Sequence, residues 1–229
     1  MTMAMPTTPL RLLTAAALLL ASLPALAVKP FNATYQANYM GMLGNGRMTL
    51  EPAGDDRWRY TLSIKNQLAD LSQVTVFEEH DGQLRPISGT DVSNVLVKKS
   101  NKKANYDWQR GVATWSGDVK PDRSGPIALQ PGDLDALLIN LALVRDHAAG
   151  KPLKYRMVDG GRVKQLHYTV AGKETIDVDG KQRPATKVVA NDGGKQTTAW
   201  IVEGLPVPAR IVQKDGGTES VDLRVQSVR

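Results

Sequence analysis

A chain of 229 residues with no cysteine and a formal net charge of +6 is long enough to bury a real hydrophobic core. Its composition excludes a disulfide framework, a thiol nucleophile, thiolate metal sites and the lipid-modified cysteine of bacterial lipoproteins. The basic excess is modest and spread out, and no segment interleaves basic and aromatic residues or carries a recognisable binding motif, so nucleic acid is not an expected partner.

The N-terminus reads as a secretory signal. Arg11 precedes an apolar run from Leu12 to Leu23, 12 residues against the roughly 20 that cross a bilayer as a helix. Small residues at Ala25 and Ala27 suit cleavage after Ala27. Residues 1–27 are therefore expected to be removed, leaving 202 residues with a formal charge of +5. That product, 28–229, is expected to be one β-rich domain without a transmembrane segment or anchor. An exported chain without disulfides fits a bacterial periplasm better than a eukaryotic secretory route.

From Phe31 the dominant period is two. Phe31, Ala33, Tyr35, Ala37 and Tyr39 alternate with polar residues, the pattern of a strand with one face buried. Gly41, Gly44, Asn45 and Gly46 offer turn conformations before a return strand over Arg47–Glu51. Trp58, Tyr60, Leu62 and Ile64 alternate next, Val74–Glu79 follows, and Asp81-Gly82 turns the chain. Pro86 and Gly89 make the next strand irregular or an edge. Val92–Ser116 reads as two hairpins. One turns at the lysine cluster Lys98, Lys99, Lys102 and Lys103, and the other turns at Arg110-Gly111, which sets Tyr106 opposite Trp115 and Trp108 opposite Ala113.

One segment has helical spacing. After Pro131-Gly132, Asp133 is placed to cap a helix carrying Leu134, Leu137, Leu138, Leu141 and Val144 on one stripe, with Arg145 and His147 in its last turn and Gly150 and Pro152 beyond. Period two then resumes through seven segments from Leu153 to Val228, joined by Asp159-Gly160, Asp179-Gly180, Asn191 to Gly194 and Asp215-Gly216. Such short connections require antiparallel neighbours. The expected fold is mainly β: a curled antiparallel sheet or open barrel-like meander of about a dozen strands, with one amphipathic helix packed near its opening.

Five strings occur in an order that resembles the domain-of-unknown-function 3108 family of exported bacterial proteins. They are Asn105-Tyr106-Asp107-Trp108-Gln109-Arg110-Gly111, Asp133-Leu134-Asp135-Ala136-Leu137, Val158-Asp159-Gly160-Gly161-Arg162-Val163-Lys164, Val170-Ala171-Gly172-Lys173-Glu174-Thr175-Ile176 and Leu205-Pro206-Val207-Pro208-Ala209-Arg210-Ile211; Trp200 matches as well. The resemblance spans about residues 31 to 229. It implies a β-rich envelope protein and supplies no catalytic residues.

No constellation names a reaction. His80, His147 and His167 sit in unrelated settings, so neither a nucleophilic triad nor a zinc site is expected. Asp133 with Asp135, Glu78 with Glu79, and Asp177 with Asp179 are explained by caps, strands and turns rather than as a hydrolytic carboxylate pair. No cofactor is expected. The strand aromatics are either core or the lining of a groove left because one helix covers too little of a curled sheet. On the second reading Tyr106, Trp108 and Trp115 are the candidate ligand-binding residues. The leading functional expectation is a non-enzymatic periplasmic binding or carrier module for a hydrophobic, lipid-like ligand. The alternative is a structural or accessory envelope protein that docks a partner through an edge strand or the lysine hairpin, where the lysines either meet anionic lipid or polymer or guard a solvated tip. N-terminal sequencing of the exported protein should begin at Val28; a form retaining Met1 would remove the export argument.

Overall fold

The computed structural model describes residues 28–229; the expected cleavage site after Ala27 and the expected signal segment lie outside the described residues. Eight strands come first: β1 (Phe31–Tyr39), β2 (Met42–Pro52), β3 (Arg57–Lys65), β4 (Ala69–His80), β5 (Gln83–Val95), β6 (Lys98–Asp107), β7 (Val112–Gly117) and β8 (Ile127–Ala128). Helix α1 (Leu138–Ala148) and the hairpin of β9 (Lys154–Asp159) and β10 (Arg162–His167) follow. The chain ends with β11 (Thr169–Val178), β12 (Lys181–Asp192), β13 (Lys195–Val202), β14 (Arg210–Asp215) and β15 (Thr218–Val228).

Thirteen strands form one antiparallel sheet in the order β11-β12-β13-β14-β15-β1-β2-β3-β4-β5-β6-β7-β8, and β9 pairs with β10 separately. Each half of the chain is a meander, and β15 pairs with β1, Tyr39 opposite Val221 and Ala33 opposite Val228, to join them. The sheet does not close, since β11 and β8 remain at its edges. It curls instead, as a sheet of this width must. Its concave face carries the alternate residues of β1, Phe31, Ala33, Tyr35 and Ala37, all buried. Two buried hydroxyls on that face find partners: Tyr35 donates to the Pro208 carbonyl at 2.9 Å and Tyr60 to Met48 Sδ at 3.2 Å.

Helix α1 packs inside the concavity against β5 and β13. Sequence spacing predicts one apolar stripe, but Leu138, Ile139, Leu141, Ala142 and Leu143 are all buried. A helix surrounded by a curled sheet has no wet face along most of its length. The cap is also displaced from expectation. Asp135, rather than Asp133, accepts the Leu138 amide at 2.8 Å and receives the Thr75 hydroxyl of β4. Asp133 instead accepts the Gln130 amide at 2.8 Å and pairs with Arg156, while Leu134 bridges to Met157. The segment before the helix is thus stitched to β9 before it can turn.

Three turns differ from their sequence reading. Gly44 and Gly46 lie within β2 rather than in the first turn, which is Met40-Gly41. A Cβ at Gly44 would collide with the Lys65 carbonyl on β3, so that glycine permits a close backbone approach. The β5–β6 hairpin turns at Leu96-Val97, and the lysines lie along β6 instead of forming its tip. The β6–β7 turn takes four residues, with the Asp107 carboxylate accepting the Arg110 amide at 2.9 Å. Tyr106 consequently faces Ala113 and Trp115 faces Ala104, two residues from the expected register. Pro86 sits at a bulge in β5, where Phe77 faces Pro86 and Val76 faces Ser88, consistent with its reading as irregular.

Leu138→Ala should cost about 2 to 5 kcal/mol, as for other buried leucines, whereas Lys103→Ala on the exposed side of β6 should leave the denaturant midpoint nearly unchanged; equal midpoints would mean that the helix is not docked.

Asp135 supplies a second test. Burial, with a smaller contribution from Asp159, pushes its carboxyl up from 3.8 to about 7 against the opposing hydrogen bonds from Thr75 and the Leu138 and Leu137 amides. A raised folded-state value means that the protonated form is preferred in the native state, so stability is greatest below the unfolded value and declines as pH rises toward about 7. Beyond that the deficit is constant, at most about 4 kcal/mol. Asp135→Asn retains a capping oxygen, so its unfolding midpoint should fall less than that of the wild type between about pH 4 and pH 7. Parallel pH profiles would show that the Asp135 carboxyl titrates normally.

Candidate ligand-binding cavity

One helix and one hairpin do not fill the concavity of thirteen strands. Between them and the sheet lies a cavity of about 490 Å³, within the range of small-molecule sites. The strand alternation that buries Phe31 to Ala37 also aims its wall residues. Leu62 and Ile64 come from β3, Leu71 from β4, Ile211 from β14 and Leu223 from β15, facing Ile139 of α1 and Met157 and Leu166 of the hairpin. Gln73, Asn140, Thr197 and Gln213 lie among these apolar side chains.

Its mouth is charged. Lys102 lies 3.8 Å from Asp91, Lys195 lies 3.6 Å from Asp215, and Lys164 pairs with Asp192 across from the β9–β10 hairpin to β12. These groups belong to one end of the sheet, where β1, β3, β5, β12 and β14 finish and β2, β4, β6, β13 and β15 begin. At the other end the Arg145 guanidinium, near the C-terminus of α1, donates to the Gly82 carbonyl in the β4–β5 turn at 3.3 Å. The helix therefore closes one end of the concavity and leaves the other open.

A smaller annex of about 70 Å³ shares Gln73, Asp91, Lys102 and Ala136 with the main cavity. Tyr106 and Trp115 wall this annex. Their rings meet edge to face at 6.1 Å, both are buried, and Tyr106 donates to the Val158 carbonyl at 2.9 Å. The buried Trp115 Nε1 has no hydrogen-bond partner in the protein. Asp135 and Asp159 border the same annex, and burial is the main force pushing both carboxyls up.

Trp108 does not line the annex. It sits in the β6–β7 turn at the opposite end of the sheet, donates its indole N–H to the Pro86 carbonyl at 2.7 Å and lies under the Arg85 guanidinium at 5.3 Å. The structure thus brings Tyr106 and Trp115 together at the annex, while Trp108 packs against the same small buried cluster without lining the annex. Trp200 does not line the cavity either. It is buried in the main core cluster, with Lys187 at 5.3 Å and Arg210 at 4.7 Å from its ring centroid and its indole N–H donating to Glu174 at 2.7 Å. The main cavity's wall residues escaped sequence reasoning because no short segment holds them; their only signal is the inward parity of strands far apart in the chain.

Among the described residues no group of histidines and carboxylates is arranged to hold a metal ion, and no helix is long and apolar enough to cross a membrane.

The fold is similar to that of a β-barrel-like protein of the domain-of-unknown-function family DUF1849 from Brucella abortus, with 13% identity over 87% of this chain and 97% of that one and a TM-score of 0.54. At that identity the likeness concerns architecture and not activity. A weaker likeness links it to a chain of the MucA/MucB complex of Pseudomonas aeruginosa, 11% identical over 87% of this chain and 51% of that one with a TM-score of 0.37. No curated protein matches the chain in sequence. The family described as protein of unknown function (DUF3108) matches residues 31–224. With nearly all the described residues inside that match, and with the shared strings falling on its turns, helix entry and strand ends, the chain belongs to the DUF3108 family.

Proposed function

We propose that this protein is an exported periplasmic binding or carrier module for an amphipathic, lipid-like ligand. The observation that carries the reading is the cavity of about 490 Å³ that opens at one end of the curled sheet, with apolar side chains from four strands, the helix and the hairpin in its wall and ion pairs at its mouth. Burial of an acyl segment against Leu62, Ile64 and Ile211 supplies affinity at about 25 cal/mol per Å² of apolar surface. The lysines and carboxylates at the mouth suit a polar head. Tyr106 and Trp115 wall the annex, where the Trp115 indole N–H is available to an acceptor on the ligand or to water. Trp108 packs against that aromatic pair from outside the annex.

The other reading, a docking module that adds a partner strand, draws on β11, an edge strand exposed along most of its length. Its register shifts between Val170 and Gly172 and its outer face carries Lys173, features that discourage strand addition. The cavity is the better supported site.

A fluorescent fatty acid titrated into the chain from Val28 onward should bind saturably. Ala136→Trp, which places a large ring where the main cavity meets its annex, should abolish that binding without lowering the unfolding midpoint greatly, and Trp108→Ala should leave it intact. Absence of probe binding by the wild type, or full binding by a folded Ala136→Trp variant, would overturn the cavity reading.

A further inference from the structure

We propose that the rim beside the cavity mouth, formed by the β1–β2, β3–β4 and β5–β6 tips, docks the protein onto an anionic lipid bilayer. Seven large hydrophobic residues are exposed in the described chain, and five of them, Met40, Leu43, Leu68, Leu96 and Val97, lie on these three tips. Leu96 is 70% and Val97 98% exposed. The tips are tied into one platform. Asn66 Nδ2 donates to the Tyr39 and Met42 carbonyls at 3.3 Å each, and the Leu96 amide donates to the Leu68 carbonyl at 2.8 Å.

The choice of turn residues points the same way. Six residues other than glycine adopt positive φ: Met40, Asp55, Asp56, Asp81, Leu96 and Asp179. That conformation suits glycine, asparagine and aspartate and is disfavoured for larger apolar side chains. The four aspartates occupy turns at the closed end of the sheet, where the β2–β3, β4–β5 and β11–β12 connections lie. The two apolar exceptions, Met40 with φ 55° and Leu96 with φ 54°, occupy turns at the open end. Local turn energetics would favour aspartate or asparagine at those two positions as well, so an apolar side chain there answers to something outside the fold.

Charge identifies the occupant. Lys98 and Lys99 are exposed directly beside Leu96-Val97, and Lys65 precedes the β3–β4 tip, with Asp70 at 3.2 Å from it as the nearby acid. On the other side of the mouth Lys195 and Asp215 offset one another, with Asp192, Lys214 and Glu219 close in sequence, so the positive excess belongs to the apolar tips. Three short protruding tips with flanking lysines present no groove for a peptide. They fit shallow insertion among headgroups, the apolar side chains entering the acyl boundary and the ammonium groups meeting phosphates. The mouth is then held against the membrane surface, although the docking rests on the rim and not on what the cavity contains.

Sedimentation with vesicles of equal parts phosphatidylglycerol and phosphatidylethanolamine, compared with phosphatidylcholine alone, tests the proposal. The chain from Val28 should pellet with the anionic vesicles and less so as salt is raised. A Met40→Asn, Leu96→Asn double variant should bind about tenfold more weakly or worse, while its unfolding midpoint equals or exceeds that of the wild type because asparagine tolerates the turn conformation. Lys98→Glu with Lys99→Glu should also weaken binding, and Asp55→Asn with Asp56→Asn at the closed end should not. Ala136→Trp should bind vesicles like the wild type, which separates this surface from the cavity. The proposal is overturned if the wild type ignores anionic vesicles, if the double variant binds them undiminished, or if Ala136→Trp abolishes binding. Concentration-dependent self-association removed by the double variant, without vesicle binding, would assign the rim to a second copy of the chain instead.

Discussion

The packing of α1 into the concave face is the interaction on which the rest depends. Thirteen strands curl and expose an inner apolar face larger than any single helix can cover. The helix nevertheless touches both halves of the sheet through β5 and β13, and its all-round burial fixes the curvature at one end. The β9–β10 hairpin is held by the same segment, since Leu134 exchanges backbone hydrogen bonds with Arg156 and Val158. What helix and hairpin leave uncovered becomes the cavity. The helix ends at the Gly82 turn and closes that end, while its first turn, with Ile139 and Asn140 at the cavity wall, leaves the opposite end uncovered.

Much of the architecture was legible because alternation and turn chemistry act locally. β1 extends over the residues predicted for it, and Asp81-Gly82 and Asp179-Gly180 turn the chain where aspartate and glycine prefer to. The misreadings cluster where a tertiary contact overrules a local preference. Gly44 looks like a turn residue and is instead a strand residue against which the Lys65 carbonyl packs. Leu96-Val97 looks like strand and is a turn. Asp133 looks like the cap, but Arg156 draws it away and leaves that role to Asp135.

The candidate site was less legible for a related reason. Tyr106 and Trp115 could be placed on one face from parity alone, and a register error of two residues preserves parity, so their proximity survives the wrong turn. Trp108 loses its expected partner Ala113, because the longer turn removes it from the ladder, yet it still packs against the same cluster. The cavity wall draws its residues from strands at both ends of the chain, and their meeting depends on the β15–β1 pairing, which no local pattern announces.

On the carrier reading proposed above, the composition of the mouth bears on how a ligand would enter and leave. The Lys102–Asp91 and Lys195–Asp215 pairs are long, at 3.8 and 3.6 Å, and their side chains are roughly half exposed. Pairs of that kind contribute little stability, about 0 to 1 kcal/mol, so they can separate around a polar head and re-form at small cost. The apolar side chains of the wall lack such freedom, since they stand on strands beside the fully buried Tyr60 and Met48. On that reading, a rigid wall behind a cheaply rearranged polar gate would retain a chain through buried area and release it through the mouth. Loading from a membrane would then require the mouth, and not merely the protein, to face the bilayer, and in this fold the exposed side chains on the tips beside the mouth include Met40, Leu96 and Val97.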